Sequence, residues 1–177
     1  GPLAHRAHTW NGGKCCGYAM EKNVDDVGFI SKMIDEVKAR YVVDERRIFA
    51  TGISNGGMMT YRLACELADK IAAVAPVSTT RVPDGCSPSR PVAIVHVHGT
   101  ADPLAPFKGG DVSKSPWGSL KTSHQGQSAS QMVGFWIEKN RCTPASETVY
   151  KKGKAICIRH DRCAEGAAVE LCAIEGG

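Results

Sequence analysis

Apolar residues recur with helical spacing near the start of the chain. Between residues 24 and 41 they lie three or four positions apart, at Val27, Ile30, Met33, Ile34 and Val37. This spacing is typical of a helix that packs by one face. Asp25 and Asp26 supply the negative charge that favours a helix N-terminus. The pattern predicts a helix from about residue 24 to Tyr41, after a loop-like segment over residues 1–23.

Three short apolar runs follow, each rich in β-branched residues. They are "RRIFATGI" at 46–53, "IAAVAPVS" at 71–78 and "PVAIVHVHG" at 91–99. Residues 55–70 separate the first two runs and have helical composition. Continuous apolar strands joined by helices or long loops indicate a parallel sheet covered on both faces. The sequence therefore predicts an α/β fold.

Composition and charge narrow the class of protein. With 177 residues, 42% of them hydrophobic, the chain can bury the core of one globular domain. The formal net charge is only +4 and the basic residues are dispersed, which gives little support for nucleic-acid binding. No apolar run approaches the roughly 18 residues that cross a bilayer. We therefore expect neither a nucleic-acid partner nor a membrane span.

Eight cysteines require an explanation. None form a C-x-x-C pair or stand at finger-like spacing from a histidine, so we expect no metal site. Disulfides in an oxidising compartment are the preferred interpretation, and buried free thiols are the alternative. The sequence leaves the pairing open. The adjacent Cys15 and Cys16 are expected to bond to separate partners, because joining neighbouring residues strains the disulfide.

A candidate nucleophile lies where the first strand gives way to a helix. Gly52, Ser54 and Gly56 form the pattern G-x-S-x-G within "TGISNGGMM". In a nucleophile elbow the serine occupies a sharp strand-to-helix turn, where side chains at the two glycines would collide with neighbouring backbone. The backbone N–H of Asn55 can then donate to a developing oxyanion. The alternative is that Ser54 only caps the helix.

A candidate acid follows the third strand. Asp102 lies in "HGTADPLAPF", just past the carboxyl end of the run at 91–99, where α/β sheets collect functional residues. It also follows the serine, as the acid does in the chain order Ser, Asp, His. The alternative is a turn-forming aspartate before Pro103.

Longer motifs resemble one family. "YVVDERRIFATGISNGGMMTYRLACE" and "PVAIVHVHGTADPLAPFKGG" are similar to secreted α/β-hydrolase esterases of the polyhydroxybutyrate depolymerase-like, feruloyl esterase-like and acetyl xylan esterase-like groups. "TWNGGKCCGYA", "VDDVGF" and "VELCAIEGG" extend the resemblance over nearly the whole chain. It implies Ser54 as nucleophile, Asn55 as one oxyanion donor and Asp102 as triad acid. It also implies no cofactor, a secreted or periplasmic location and a disulfide between Cys142 and Cys163.

The same resemblance implies that this chain is part of a larger domain. Residues 1–177 would form one partial α/β-hydrolase domain with the central and C-terminal strands and their flanking helices. The N-terminal strands and the second oxyanion donor are expected before residue 1. The catalytic histidine is expected in a Gly-Gly-Gly-His-like stretch beyond Gly177. We therefore expect this segment alone to be inactive, with one edge of its first strand unpaired.

The histidines within the chain are not expected to act as the base. His96 and His98 belong to the third strand, and the resemblance implies that they are structural. His160 lies in a predicted outer hairpin. The remaining three, without any motif around them, are His5, His8 and His124.

The predicted activity is that of a serine esterase that forms an acyl-enzyme. Feruloyl, acetyl and polyester (polyhydroxybutyrate-like) substrates all remain open, so the partner is an ester derived from plant cell walls or from a polyester. Trp10, Tyr18 and Trp117 lie in predicted loops that would contact substrate or pack locally. The alternatives are a catalytically inactive hydrolase-fold binding module and a structural extracellular domain.

Overall fold

The computed structural model describes residues 8–112 and 125–177, and eight strands are present in these ranges. They are β1 Phe49–Ile53, β2 Ala73–Val77, β3 Ala93–Gly99, β4 Gly110–Asp111, β5 Gln125–Gly126, β6 Glu147–Lys152, β7 Ala155–His160 and β8 Val169–Ile174. Six of them form the central sheet in the order β1-β2-β3-β8-β7-β6, and β4 pairs with β5.

The first four strands of the central sheet run parallel. β1 pairs with β2, β2 with β3 and β3 with β8, in a register that aligns Ile53 with Val77 and Val77 with Val97. The three strands predicted from the apolar runs are all present, and the α/β fold class is confirmed. Because the strands are parallel, the segments after β1, β2 and β3 all leave the sheet at the same end, the carboxyl end of these strands.

The remaining two strands form an antiparallel hairpin at the outer end of the sheet. β6 pairs with β7, and β7 pairs with β8. The hairpin predicted around His160 is thus present. β6 is largely exposed and ends in Lys151 and Lys152, and such charges discourage further strand pairing at an edge.

The described ranges contain four α-helices, α1 Gly17–Glu21, α2 Asp26–Arg40, α3 Asn55–Glu66 and α4 Ala129–Lys139, and two short 3-10 helices, Glu45–Arg47 and Ala164–Gly166. α2 and α3 match the predicted helices. The prediction of a loop over residues 1–23 is wrong at α1, since five residues with one buried position, Ala19, are too few to show a periodic pattern. No helix within residues 8–112 and 125–177 is long and apolar enough to cross a membrane.

α2 begins and ends where its sequence indicates. Asp25 caps it by accepting the Gly28 N–H at 2.9 Å, and the helix ends at Arg40. One side of α2 remains uncovered, with Phe29 58% and Met33 48% exposed.

The main core lies between the sheet and helices α3 and α4. Tyr61 of α3, Trp136 of α4 and Ile94 of β3 are almost completely buried in it, and the Tyr61 and Trp136 rings stack with centroids 5.9 Å apart. α4 begins with a capping box, in which Ser128 and Gln131 bond to each other's backbone N–H. The packing of α3 against β1 and β2 fixes the turn that joins β1 to the helix.

β1 forms one edge of the sheet. Among the described strands only β2 pairs with it, and Phe49 and Ile53 are 64% and 66% exposed. This agrees with the expectation of an unpaired edge. An apolar strand with free N–H and C=O groups is a site where further chain can pair.

All eight cysteines are paired: Cys15–Cys16, Cys65–Cys86, Cys142–Cys163 and Cys157–Cys172. The predicted Cys142–Cys163 pair is therefore confirmed, and the alternative of free thiols is wrong. The expectation that Cys15 and Cys16 bond to separate partners is also wrong. The other six cysteines pair among themselves, so the fold leaves these two only each other.

Candidate active site

Ser54 occupies the turn between β1 and α3. Its backbone has φ 57° and ψ −118°, a conformation that a non-glycine residue adopts at a cost of about 1–3 kcal/mol. The Ser54 N–H donates to the Val77 carbonyl at 3.0 Å, which ties the turn to the end of β2. The side chain is exposed and does not cap α3. The capping alternative is therefore wrong.

Close approach of backbone explains one of the two motif glycines. A Cβ at Gly52 would lie 2.5 Å from the Gly56 carbonyl oxygen, so only glycine fits there. Apart from its chain neighbours and the backbone of its own helix, no described atom lies within 4 Å of a Cβ built at Gly56, so the expected collision at Gly56 is wrong. The tight position is instead Gly57, whose Cβ would lie 2.9 Å from Thr79 Cβ.

Substitution of these glycines separates the two cases. Gly52→Ala should lower the melting temperature by about 5–10 °C, because overpacking against backbone costs roughly 1–3 kcal/mol. Gly56→Ala meets open space and gains helix propensity, so its melting temperature should stay within about 2 °C of the parent. Thermal unfolding of the two variants checks this, and equal losses would contradict the assigned packing.

Asn55, the residue after Ser54, connects the turn to the loop of Trp10. The Trp10 N–H donates to Asn55 Oδ1 at 2.7 Å, and Asn55 Nδ2 donates to the Trp10 carbonyl at 2.9 Å. As the first residue of α3, Asn55 has no acceptor for its N–H within the helix. That N–H lies at the positive end of the helix dipole, as an oxyanion donor would.

The Trp10 loop is held by buried polar contacts. The Asn11 N–H donates to buried Asp26 at 2.7 Å, and Arg62 donates to the Asn11 carbonyl at 2.8 Å. Trp10 and Tyr18 are 39% and 46% exposed. Trp117, the third candidate substrate residue, lies outside the described residues.

A polar cavity of about 240 Å³ adjoins this loop at Asn11 and Gly13. Its charged side chains are largely matched, since Lys14 pairs with Asp84 and Arg62 pairs with Glu66. Arg81 lines the cavity as a third cation, 3.8 Å from Asp84, so the lining carries one more positive than negative side chain.

Asp102 lies in the loop after β3 and is strongly hydrogen-bonded. Its Oδ1 accepts the N–H groups of Leu104 at 2.8 Å and Ala105 at 2.9 Å, and Ser78 donates to the same carboxylate. Partial burial opposes ionisation, but these donors outweigh it and hold the pKa of Asp102 below its usual value. The turn-forming alternative is thus correct for the loop, and an ionised carboxylate retains capacity for another partner.

The sheet places Ser54, Ser78 and Asp102 together at the carboxyl end of its parallel strands. They follow β1, β2 and β3, and neighbouring strands are about 4.8 Å apart. Ser54 and Asp102 thus leave strands separated by about 10 Å, with Ser78 between them. This spacing admits a side chain that contacts both.

Three histidines of the strands are not placed between Ser54 and Asp102. His96 and His98 are completely buried, and both ring nitrogens of each are in hydrogen bonds. His160 aligns through Val169 with Ile94 at the start of β3, about 16 Å from the Gly99 end. His8 is exposed, while His5 and His124 lie outside the described residues.

Gly177 lies beside the Asp102 loop. Its carbonyl accepts the Ala101 N–H at 3.0 Å, and the Gly176 N–H donates to Thr100 at 3.0 Å. The Gly177 backbone is therefore bonded to Ala101, the residue that precedes Asp102.

One cluster among the described residues has metal-ligating atoms close together, at Cys157, Glu170 and Cys172. The two sulfurs form a disulfide with each other, so they are not thiolate ligands.

Two features of the site escaped the sequence analysis. Ser78, the donor to Asp102, follows an apolar strand without any motif. Gly57 was overlooked because the G-x-S-x-G pattern directs attention to Gly56. The His-x-His pattern formed by His96 and His98 in β3 was visible in the sequence, but it indicated only a structural role.

The fold and the residues at the carboxyl end of its parallel strands define an α/β-hydrolase, with a serine elbow and an aspartate after a later strand. The family model for phospholipases and carboxylesterases matches residues 21–134, and the chain belongs to that family.

Individual relatives agree with this assignment. The chain is 34% identical over 184 residues to feruloyl esterase B of Piromyces equi, covering 100% of this chain and 31% of the relative. It is 33% identical over 156 residues to a probable feruloyl esterase C of Aspergillus niger, covering 88% and 50%. An acetyl xylan esterase structure from Aspergillus awamori superposes with a TM-score of 0.59 at 13% identity, covering 85% of this chain and 61% of that one. The chain thus spans half or less of the length of these two feruloyl esterases.

Proposed function

We propose that the protein containing this chain is a carboxylic ester hydrolase that acts through an acyl-enzyme on Ser54. The observation that carries the proposal is the conformation of Ser54, which is strained, exposed and free of the capping bond that would otherwise explain a serine there. Strain of this kind persists where the surrounding structure enforces it. The membership of the chain in a carboxylesterase family supports the same chemistry.

Each residue has a defined role in the proposed mechanism. The Ser54 hydroxyl gives its proton to a base while Oγ bonds to the ester carbonyl carbon. The Asn55 N–H stabilises the resulting oxyanion. The protonated base then gives its proton to the departing alcohol, and water attacks the acyl-enzyme to release the acid. Ionised Asp102 orients the base and stabilises its charged form.

The base is proposed to enter beside Gly177. The Gly177 carbonyl is bonded to Ala101 N–H, next to Asp102, and the resembling family carries its catalytic histidine shortly after this point. A histidine joined to Gly177 through a few residues would thus reach the space between Ser54 and Asp102. Trp10, held next to Ser54 by Asn55, is proposed to contact the acyl group.

The proposed substrates are feruloyl and acetyl esters of plant cell walls. Feruloyl esterases of Piromyces equi and Aspergillus niger are among the relatives, and the fold is shared with an acetyl xylan esterase. Polyesters are the competing substrate class. Four disulfides suit an oxidising compartment, so we propose that the protein is secreted.

Covalent labelling tests the proposal. A fluorophosphonate should modify the full-length protein once, and peptide mapping should place the label on Ser54, because the activated hydroxyl attacks phosphorus as it attacks an ester carbonyl. Methyl ferulate should protect against the label. A label on another residue would overturn the assigned nucleophile, while complete lack of labelling would favour the inactive binding module.

A further inference from the structure

A continuous row of hydrogen bonds crosses the core from α3 to the loop of Asp102. The Tyr61 hydroxyl lies 2.7 Å from His96 Nδ1, His96 Nε2 lies 2.9 Å from His98 Nδ1, and His98 Nε2 lies 2.7 Å from the Ala105 carbonyl oxygen. All three side chains are completely buried. Polar groups this deep in the core are retained only when each finds a partner.

The carbonyl at the end of the row sets the direction of every bond. A carbonyl oxygen only accepts, so His98 Nε2 carries the hydrogen and, in a neutral ring, Nδ1 accepts. His96 must then donate from Nε2 and accept at Nδ1, which leaves Tyr61 as the donor. Burial, reinforced by His98, lowers the pKa of His96 to about 3, so this ring is neutral at physiological pH. Each group therefore donates towards Ala105.

Ala105 connects the row to the carboxylate. Its carbonyl accepts from His98, and its N–H donates to Asp102 Oδ1 at 2.9 Å. Phe107, two residues further on, packs edge-on against the His98 ring with centroids 5.5 Å apart. The bond from His98 thus fixes the position of the Ala105 backbone, and the Ala105 N–H in turn fixes the position of the Asp102 carboxylate.

We propose that Tyr61, His96 and His98 are positioning residues that hold the Asp102 carboxylate in its productive place through Ala105. The inference rests on the proposed role of Asp102 as triad acid. Geometry of this kind matters, because displacement of a catalytic group by about 1 Å can cost about 100-fold in rate.

Two substitutions at His98 form a matched test. In His98→Gln the side-chain amide nitrogen can occupy the place of Nε2 and still donate to Ala105. In His98→Asn the shorter amide reaches only the place of Nδ1, and the bond to Ala105 is lost. In the full-length protein we expect His98→Asn to lower kcat by roughly 10- to 100-fold, with KM within about twofold of the parent. His98→Gln keeps the bond to Ala105 but removes the Nδ1 acceptor of the His96 N–H, so its kcat should fall only about threefold to tenfold.

The carboxylate itself provides a readout that does not depend on activity. The Ala105 N–H helps to lower the pKa of Asp102, so His98→Asn should raise that pKa, and His98→Gln should leave it near the parent. Titration of the Asp102 side-chain carbon by NMR measures both. An unchanged Asp102 pKa in His98→Asn would overturn the proposal whatever the enzyme's activity.

A double-mutant cycle separates this inference from the proposed function. In an Asp102→Asn background His98→Asn should lower kcat no further, since the carboxylate that it positions is already absent. Equal fold losses in both backgrounds would show a packing role and overturn the inference. A raised Asp102 pKa with kcat unchanged by either single substitution would instead overturn the role of Asp102 and keep the positioning. If His98→Asn does not fold, Tyr61→Phe removes a single oxygen and is expected to give the same pattern at about threefold to tenfold.

Discussion

Replacing Ser54 by Ala should lower kcat of the full-length protein towards p-nitrophenyl acetate by about 10⁶, because the residue that forms the acyl-enzyme is lost. Unfolding cannot explain such a loss, since alanine adopts the same backbone and the Ser54 side chain makes no capping bond. The melting temperature should therefore remain within about 2 °C of the parent. Steady-state kinetics and thermal unfolding of one preparation measure both quantities.

Ser146→Ala is the matched control for this experiment. Ser146 is an exposed serine next to β6 in the outer hairpin, so it lies away from Ser54, which follows β1 on the other side of the sheet. Its removal should leave kcat unchanged. Turnover that survives Ser54→Ala would remove the elbow from the mechanism and place the nucleophile at another residue of the protein.

The strands could be located from sequence, but their ends could not. The run at 71–78 begins with Ile71, which is 1% exposed, yet β2 starts only at Ala73. Ile71 packs into the core from the turn before the strand. An apolar run therefore shows which residues are buried, and it does not show which of them join the hydrogen-bonded ladder.

The site was predictable where one local turn decides the geometry. Gly52, Ser54 and Asn55 are close in sequence, and a strand followed by a helix is enough to bring them together. Ser78 could not be found in this way, because its contact with Asp102 depends on the pairing of β2 with β3. The same holds for Cys15 and Cys16, whose pairing depends on where the other six cysteines meet.

The structure gives a physical reason why two histidines are not placed to act as the base. Both ring nitrogens of His98 are already bonded within the core. His160 lies at the opposite end of the sheet. Neither His98 nor His160 therefore occupies the space between Ser54 and Asp102.

The second large effect is expected at Asp102. Asp102→Asn should lower kcat by about 10⁴, because an amide neither fixes the tautomer of the base nor stabilises its charged form. The amide oxygen can still accept the Leu104 and Ala105 N–H groups that Oδ1 accepts now, so the loop should keep its shape and KM should change little. Asp161→Asn, which alters an exposed aspartate after β7, is the control and should leave kcat unchanged. Steady-state kinetics of the two variants decide the matter: a loss below about tenfold in Asp102→Asn would show that Asp102 only forms the turn, since removal of a triad acid is far more costly.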